Sequence, residues 1–303
     1  GCGLTYNVMI TARAPIFEEL LERMPRDEVE DGVRRMRAAA EAVLPGVLVE
    51  PCGSYRQGKP TSGDVDLLVA HPEWRYRAGD EGDTFAGPRA SEAARRAFLR
   101  AFLARLNAEQ LVTHTLALGH AGWSGAASSH GAVTWMGIGK WRDLHRRIDV
   151  KVYPIDELPF ALLHFSAGQL FNRKLRYYAK RYYSRAKGHY SYSLSDHGLV
   201  PVLVYKGKSR KEDGSYNDNK EKIGRSEPCA TEADIFRFLD LPYRAPTERS
   251  TWYGQLPNST DDAAAARAAH AASDSSDGEA MAEDEEEDDD DEPPRGAVVA
   301  AGL

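Results

Sequence analysis

Cysteine and long apolar runs are both scarce in this sequence of 303 residues. Its three cysteines, Cys2, Cys52 and Cys229, show neither even pairing nor CxxC spacing, which is typical of reduced thiols in an intracellular protein. No run of about 18 apolar residues occurs, so no segment is predicted to span a membrane. The stretch GCGLTYNVMITARAP lacks a basic region followed by an apolar one, and therefore predicts no signal peptide. With 42% hydrophobic residues, the chain can still bury a sizeable core in one or two domains.

Acidic charge is distributed unevenly along the chain. Residues 258–303 contain fifteen acidic residues and two arginines, a local charge of −13. Subtracting this tail from the net charge of −7 leaves +6 on the other 257 residues. A basic body suits a polyanionic partner. The tail itself, built from Ala, Ser, Gly and the block EDEEEDDDDE, is predicted to be disordered, with either a solubilising or a regulatory role.

Helix-like and strand-like patterns are intermixed before this tail. The apolar stripe Val29, Val33 and Met36 predicts one helix, and residues 91–110 predict a second amphipathic helix. The runs GVLVEPCGS, VTWMGIG and RRIDVKVYP have strand character, whereas residues 113–131, rich in Gly, Ser, Ala and His, predict a loop. The mixture favours an α/β or α+β fold.

Two aspartates stand at the head of an apolar run in the segment GSYRQGKPTSGDVDLLVAHP, residues 53–72. Because strand residues i and i+2 point the same way, Asp64 and Asp66 should lie side by side while Val65 and Leu67 face a core. Adjacent carboxylates repel each other unless a proton or a cation lies between them. The run RRIDVKVYP adds a third acid, Asp149, on the polar face of another strand.

Three carboxylates that meet in space could hold two Mg²⁺ ions about 3.5–4 Å apart, the spacing of two-metal phosphoryl transfer. One ion would lower the pKa of an attacking hydroxyl, and the other would neutralise charge on a triphosphate. Upstream, Gly53 and Ser54 offer an amide and a hydroxyl to phosphate oxygens, with Arg56 and Lys59 close by. The combined pattern of G-S, nine residues, D-x-D and a third strand acid therefore predicts nucleotidyl transfer.

The same segments resemble a known family. GSYRQGKPTSGDVDLLVAHP resembles the palm motif of the family X DNA polymerases, of the beta and lambda kind, and RRIDVKVYP resembles their second metal-binding strand. FEELLERMPRDEVE, HFSAGQLFNRKLR and TEADIFRFLDLPYRAPTERSTW resemble the entry to the palm, its junction with the nucleotide-selecting subdomain, and the C-terminus. These similarities follow the family's order from about residue 4 to 253, with a lambda-like character.

The resemblance implies an α+β fold, with a nucleotidyltransferase palm whose mixed or antiparallel sheet is flanked by helices, and a small C-terminal α/β subdomain. Residues 1–45 would lead into the palm as the end of a DNA-gripping subdomain, 46–160 would form the palm, 161–257 the nucleotide-selecting subdomain, and 258–303 the disordered acidic tail. The family's N-terminal lyase domain and helix-hairpin-helix element are not among these residues, so we predict no lyase activity for them.

Functional roles follow from the resemblance by position. Asp64 and Asp66 would bind both metals, and Asp149 would bind the catalytic metal and take the primer hydroxyl proton or pass it to water. Contacts with the nucleotide are implied for nine residues: Arg23, Gly53, Ser54, Gln57, Gly63, His164, Phe165, Asn172 and Arg176. Within that set Phe165 would pack on the sugar, Asn172 would reach the minor-groove edge of the new base, and Arg176 the templating strand. DNA contacts are implied for Arg147, Lys151 and Arg176.

The stretch RKLRYYAKRYYSRAKGHYSYSLSDHGL interleaves cations with tyrosines. Arginine and lysine neutralise backbone phosphates, while aromatic rings stack on bases or pack in a core. Tyr178 and Tyr182 could instead join Phe171 and Leu175 in an apolar stripe. We expect both uses, on opposite faces of one helix.

Two of the implied nucleotide contacts depart from the family pattern. Gln57 stands where a second arginine usually faces the terminal phosphates, which predicts weaker triphosphate binding because a neutral hydrogen bond is weaker than a charge-assisted one. His164 replaces a usual tyrosine beside the sugar, which predicts altered discrimination against ribonucleotides.

The predicted function is template-directed DNA synthesis, with dNTPs added to a primer 3′-hydroxyl during gap filling in repair. Two Mg²⁺ ions are the implied cofactors, with Mn²⁺ able to substitute. Gapped or primer-template DNA and dNTP are the implied partners, with repair proteins beside them, for a nuclear monomer that does not bind membranes. Two alternatives stay open: a template-independent terminal transferase or RNA nucleotidyltransferase with the same metal site, and a catalytically silent DNA-binding scaffold.

Overall fold

The computed structural model describes residues 15–75, 90–119, 133–181, 191–204 and 220–249, and the acidic tail predicted over 258–303 lies outside these ranges. Seven helices are found within the described ranges: α1 Pro15–Leu21, α2 Arg26–Val43, α3 Gly53–Arg56, α4 Ala90–Ala108, α5 Leu158–Phe165, α6 Gln169–Arg181 and α7 Glu232–Phe238. Ten strands accompany them: β1 Met24–Pro25, β2 Leu48–Pro51, β3 Thr61–Ser62, β4 Val65–Ala70, β5 Val112–Gly119, β6 Val133–Trp141, β7 Leu144–Val152, β8 Ser191–Ser195, β9 Gly198–Val204 and β10 Lys220–Lys222. A short 3-10 helix follows at Pro246–Glu248.

A mixed sheet of five strands in the order β2-β4-β7-β6-β5 forms the larger part of the fold. β4 and β7 are parallel neighbours, while the other adjacent pairs are antiparallel. A second sheet, β10-β9-β8, is antiparallel, and β1 pairs with β3 in a two-stranded ribbon. This architecture confirms the predicted α+β class with a mixed sheet flanked by helices and a smaller C-terminal subdomain.

The two faces of the five-stranded sheet are covered to different extents. Helices α2 and α4 contribute Met36 and Phe102 to a core that also contains Leu67, Val69 and Val150 of the sheet. On the opposite face, α5 packs with Leu68 and Ala70 at the far end of β4. Since side chains alternate along a strand, Asp66 shares this second face with Leu68 and lies at the end that α5 leaves uncovered.

The predicted loop over 113–131 is wrong for its first part, because β5 extends through Val112–Gly119. Register shifts between Val112 and His114 and between Thr115 and Ala117 interrupt the pairing of β5 with β6. Such bulges insert an extra residue and so break the alternation by which a strand is recognised. Residues 120–132 of the same prediction lie outside the described ranges.

The smaller C-terminal part has its own hydrophobic core, in which Phe171 and Leu175 of α6 pack with Tyr192, Leu199 and Phe236. Among the described residues, no helix is both long and apolar enough to cross a membrane.

Candidate active site

The register of β4 and β7 places two of the predicted acids side by side. Asp66 and Asp149 are direct partners across this parallel strand pair, and Asp64 stands immediately before β4. Their neighbours Val65 and Ile148 are buried in the core. Burial of the alternate residues forces the carboxylates toward the uncovered face. The structure thus brings the three predicted acids to one place.

Two cations are paired with these acids. Arg147 forms an ion pair with Asp64, and the Lys151 ammonium lies 3.7 Å from Oδ1 of Asp66 and 3.9 Å from Oδ2 of Asp149. Within the described ranges, no three His, Cys, Asp or Glu side chains are arranged as a finished metal site. To serve the DNA contacts predicted for them, Arg147 and Lys151 would have to exchange carboxylate partners for phosphates.

Electrostatics shows that the carboxylates interact with one another. Burial raises the pKa of Asp66 to about 6; the Lys151 ammonium opposes this rise, and the charges of Asp64 and Asp149 add to it. Burial likewise raises the pKa of Asp149, against the effect of Lys151. The donor set consists of carboxylate oxygens alone, which suits a hard cation such as Mg²⁺.

Gly53 opens the one-turn helix α3 directly against Asp66. Its φ of +57° lies in the left-handed region, and a Cβ added there would overlap the Asp66 carboxylate. Glycine is therefore required on both conformational and steric grounds. The backbone N–H of Cys52 donates to the carbonyl of Asp66 at 2.8 Å, which anchors this segment to β4.

Arg23, Ser54 and Gly63 meet around the β1–β3 ribbon. Arg23 donates through Nε to Oγ1 of Thr61 and through Nη2 to its carbonyl oxygen, both at 2.7 Å. The Ser54 hydroxyl donates to the Ser62 hydroxyl at 2.9 Å. A Cβ at Gly63 would lie 3.6 Å from Nη1 of Arg23. A guanidinium, a hydroxyl and a glycine backbone are thus gathered beside the acids, a combination that suits an anionic group.

Gln57 ends α3 and is tied to Gly53 by its backbone N–H at 3.2 Å. Its side-chain Oε1 is buried and has no hydrogen-bond partner among the described residues. The residue is half-buried in the same turn as Ser54, next to Gly58 with its φ of +74°. The predicted nucleotide-binding turn therefore contains an unsatisfied amide oxygen.

His164 links the remaining predicted residues. Asn172 donates its side-chain N–H to the His164 carbonyl at 2.7 Å, and Arg176 donates to Nδ1 of the His164 ring at 3.3 Å. The Phe165 ring meets the His164 ring edge-on at 4.7 Å, and the Lys151 ammonium lies 4.7 Å from the Phe165 ring centroid. Lys151 therefore connects the acids to this aromatic pair.

Comparison with known proteins agrees with this geometry. A family model described as DNA polymerase beta palm matches residues 23–155, and one described as DNA polymerase beta thumb matches residues 161–250. Together they cover well over half of the chain. The chain belongs to the family X DNA polymerases.

Two curated relatives bear the name DNA polymerase lambda. The protein from Rattus norvegicus is 33% identical over 235 residues, and the one from Arabidopsis thaliana is 31% identical over 236 residues. Each alignment covers 77% of this chain but only 34% and 38% of the relatives, respectively. The chain thus spans little more than a third of the length of these family X relatives, and the lambda-like resemblance seen in its motifs is confirmed.

The sequence motifs did not indicate a network of ion pairs that the structure contains. Arg56, expected near phosphate, instead donates to Glu232 and, at 2.9 Å, to the Ser166 hydroxyl. Glu232 also accepts from Arg249 at 2.6 Å, and the Arg249 side chain is 0% exposed. These three charges join α3 to α7 and to the segment after the 3-10 helix. No local pattern could indicate them, since Glu232 resembles any acid in the first turn of a capped helix.

Met136 is a second feature that the motifs did not indicate. It stands opposite Asp149 in the antiparallel β6–β7 pair and is 45% exposed. A large apolar side chain is therefore exposed beside the acids, on the uncovered side of the sheet.

Proposed function

We propose that this chain is the catalytic part of a template-directed DNA polymerase that adds a dNTP to a primer 3′-hydroxyl. The observation that carries the proposal is the pairing of Asp66 with Asp149, with Asp64 adjacent, on the uncovered sheet face. In this reaction the primer oxygen forms a bond to the α-phosphorus, and the bond to the pyrophosphate oxygen breaks. The hydroxyl proton passes to Asp149 or to water.

Asp64, Asp66 and Asp149 would hold two Mg²⁺ ions, with Mn²⁺ able to substitute, and these ions would supply charge neutralisation and a more acidic primer hydroxyl. The chain's own residues have other tasks. Burial raises the pKa of Asp149 in the metal-free chain, and the charge of the bound cations would offset that rise. Displacement of the Lys151 and Arg147 cations would free the carboxylates and leave both side chains available to DNA phosphates.

The nucleotide would lie between the Arg23 cluster and the His164 pair. Arg23, Ser54 and Gly63 would bind the triphosphate, with Gln57 as a neutral donor toward its terminal phosphates. Phe165 would pack against the sugar, with His164 beside it. We therefore attribute the predicted change in discrimination against ribonucleotides to His164. Once their hydrogen bonds to His164 break, Asn172 would reach the new base pair and Arg176 the template. Positioning and electrostatics would dominate the rate.

The division of the chain is part of the same proposal. Residues 46–160 would act as the palm, 161–257 as the nucleotide-selecting subdomain, and 1–45 as the end of a DNA-gripping subdomain. The separate hydrophobic cores of the two larger parts support this division. We place the activity in gap-filling repair, in the nucleus and in a monomer, as the resemblance implies.

Primer extension on a one-nucleotide gap with a 5′-phosphate tests the proposal. The reaction contains Mg²⁺ and each dNTP singly, with Asp149→Ala as the inactive variant and Asp143→Asn as the control, since Asp143 is an exposed acid outside the site and its φ of +63° suits asparagine. Addition of only the complementary dNTP, lost in Asp149→Ala alone, supports templated synthesis. Addition regardless of template supports the terminal transferase. Binding of gapped DNA without any addition, in Mg²⁺ or Mn²⁺, contradicts the proposal and supports the silent scaffold.

A further inference from the structure

Arg146 places a cation on the apolar face of strand β7. Side chains alternate along a strand, so Arg146 points to the same side as Ile148 and Val150, which are buried in the larger core. Arg146 is itself buried, with 3% of its surface exposed. A charge withdrawn from water in this way needs hydrogen-bond partners for its donors. The partners of Arg146 therefore indicate its task.

Arg146 makes four hydrogen bonds, all of them to other elements of the fold. Nε and Nη2 donate to the two carboxylate oxygens of Glu28, in the first turn of α2, at 2.6 and 3.1 Å. Nη1 donates to the carbonyl oxygens of Glu19 at 3.0 Å and of Glu22 at 3.2 Å, at the C-terminal end of α1. The last turn of a helix leaves carbonyl groups without partners inside the helix, and a cation there also suits the helix dipole. One guanidinium thus joins β7 to the end of α1 and to the start of α2.

The Glu22 carbonyl belongs to the peptide group that also contains the backbone N–H of Arg23. Because a peptide group is planar, the hydrogen bond from Arg146 fixes the plane from which the Arg23 backbone leaves α1. On the other side of Arg23, Met24 is fully buried and pairs with Ser62 in the β1–β3 ribbon. The Arg23 backbone is therefore held from both sides, and Arg146 supplies a directional contact on the side of α1.

We propose that Arg146 is a positioning residue for nucleotide binding, which holds Arg23 where its guanidinium can meet the triphosphate. This inference rests on the proposed function, which assigns Arg23 to the triphosphate. Arg146 acts from the core and does not touch the nucleotide, since its donors are directed to Glu28 and to the end of α1. Lysine could not replace it, because an ammonium lacks the planar fork that binds a carboxylate with two N–H groups while a third group reaches the carbonyls.

Stability and positioning can be separated at this site. A buried ion pair contributes little net stability, because desolvation of both charges offsets their attraction, and apolar residues of similar volume often replace such a pair without loss. Apolar side chains cannot donate to the carbonyls that end α1, however. Glu28→Met combined with Arg146→Met should therefore unfold in urea much as the wild type does, yet bind nucleotide less tightly. The start of α2 stays attached in this variant, since Trp141 donates through Nε1 to the Glu28 carbonyl at 3.1 Å.

The test is isothermal titration calorimetry of dATP into the full chain, which is first saturated with gapped DNA that has a templating thymine and a dideoxy-terminated primer. The missing 3′-hydroxyl prevents turnover, so the titration measures binding in Mg²⁺ without catalysis. Arg146→Lys should weaken dATP binding about three- to tenfold, within the range of coupling between residues of one network. A variant that had merely lost folded protein would instead show fewer binding sites with unchanged affinity.

A double-mutant cycle with Arg23 tests whether Arg146 acts through that residue. Arg23→Ala removes the group that Arg146 positions, so adding Arg146→Lys to Arg23→Ala should weaken dATP binding no further. In steady-state extension of an ordinary primer, Arg146→Lys should raise the KM for dNTP and leave kcat unchanged, as expected when only binding of the nucleotide is weakened.

Arg142→Lys is the matched control. Arg142 lies in the turn between β6 and β7 and donates to Oδ2 of Asp27 at 2.7 Å, so it joins the same hairpin to α2. Its side chain is paired with the start of α2 and not with the carbonyls that end α1. The same substitution at this position should therefore leave the affinity for dATP unchanged.

Unchanged dATP affinity in Arg146→Lys, or an equal loss from this substitution with and without Arg23, would overturn the inference. If templated extension were found beside such a result, the proposed function would stand. Failure of extension with an intact cycle would contradict the proposed function alone. Absence of dATP binding to the wild-type chain would contradict both.

Discussion

The guanidinium of Arg176 donates a hydrogen bond to Nδ1 of His164. Because arginine has no acceptor, this ring nitrogen must be unprotonated. Burial lowers the pKa of His164, with Arg176, His197 and Lys151 acting in the same direction and Asp196 opposing them. The pair is therefore stable at neutral pH, and it holds the Arg176 guanidinium against the His164 ring.

Removing the acceptor should release Arg176. We expect His164→Leu to tighten binding of primer-template DNA without nucleotide by about two- to tenfold, the value of one hydrogen bond of modest strength. Fluorescence anisotropy at pH 7.5 measures this, with His114→Leu, an exposed histidine on β5, as control. Unchanged or weaker binding by His164→Leu would show that Arg176 is not restrained by this contact.

Charge on the acidic cluster should lower the free energy of unfolding at pH values above the raised pKa of Asp66. The pKa of Asp66 is about 6 in the folded protein, above the ordinary aspartate value, so the folded state binds more protons than the unfolded state between about pH 4 and pH 6. Stability therefore falls as the pH rises through this window. Asp66→Asn should raise the free energy of unfolding by roughly 1–3 kcal/mol at pH 7 and by little at pH 4.

Urea unfolding at pH 4, 5, 6 and 7 in the presence of a chelator tests the effect of Asp66→Asn. Asp143→Asn is the control, since Asp143 is exposed and its φ of +63° suits asparagine as well as aspartate. A stability difference that did not change with pH would show that the charge of Asp66 is already compensated by Lys151.

The Arg56–Glu232–Arg249 network should be the costliest charge cluster to break. Glu232→Ala would leave Arg249 buried without its carboxylate, and removal of one partner of a buried ion pair costs roughly 3–5 kcal/mol. The pKa of Glu232 is lowered, so its contribution is present above the ordinary glutamate value and is lost as the pH falls through the folded value. The variant and the wild type should therefore converge in stability in acid.

Glu109→Ala is the matched control for this network, because Glu109 pairs with Arg105 on the surface of the chain. Such surface pairs contribute about 0–1 kcal/mol. If Glu232→Ala were no more destabilising than Glu109→Ala in urea unfolding, the network could not be what couples α3 to α7.

Gln57 should limit affinity for the triphosphate. Gln57→Arg would replace a neutral side chain, whose Oε1 has no hydrogen-bond partner in the described part of the chain, with a guanidinium that can bind phosphate bidentately. The KM for dNTP should fall by roughly five- to thirtyfold, equivalent to 1–2 kcal/mol. Steady-state extension on gapped DNA measures KM, with Gln110→Arg as a control for added charge; an unchanged KM would rule out the hypothesis.

The sequence predicted those parts of the site that depend on local pattern. Alternation in RRIDVKVYP and the D-x-D at the head of β4 place the acids on one sheet face whatever the strand order. Asn172 and Arg176 likewise share a contact with His164 because they are four residues apart on one helix.

Features that depend on tertiary assembly could not be predicted in this way. Arg56 and Glu232 are 176 residues apart, and their pairing exists only after α3 and α7 have packed together. The ion pair of Arg147 with Asp64 also depends on the parallel register of β4 and β7, which no pattern within either strand specifies. Strand β5 was not predicted for a third reason, because its bulges interrupt the alternation by which a strand is recognised.

The parallel pairing of β4 with β7 also has a consequence for synthesis of the chain. β2 and β4 are close in sequence and can pair early, but the other edge of β4, with Leu67, Leu68 and Val69, stays open until β7 has emerged from the ribosome. An open apolar edge is a template for association with other chains. Insertion of β7 closes that edge and, in the same step, brings Asp149 beside Asp66. Closure of this edge and assembly of the acidic site are therefore the same structural event.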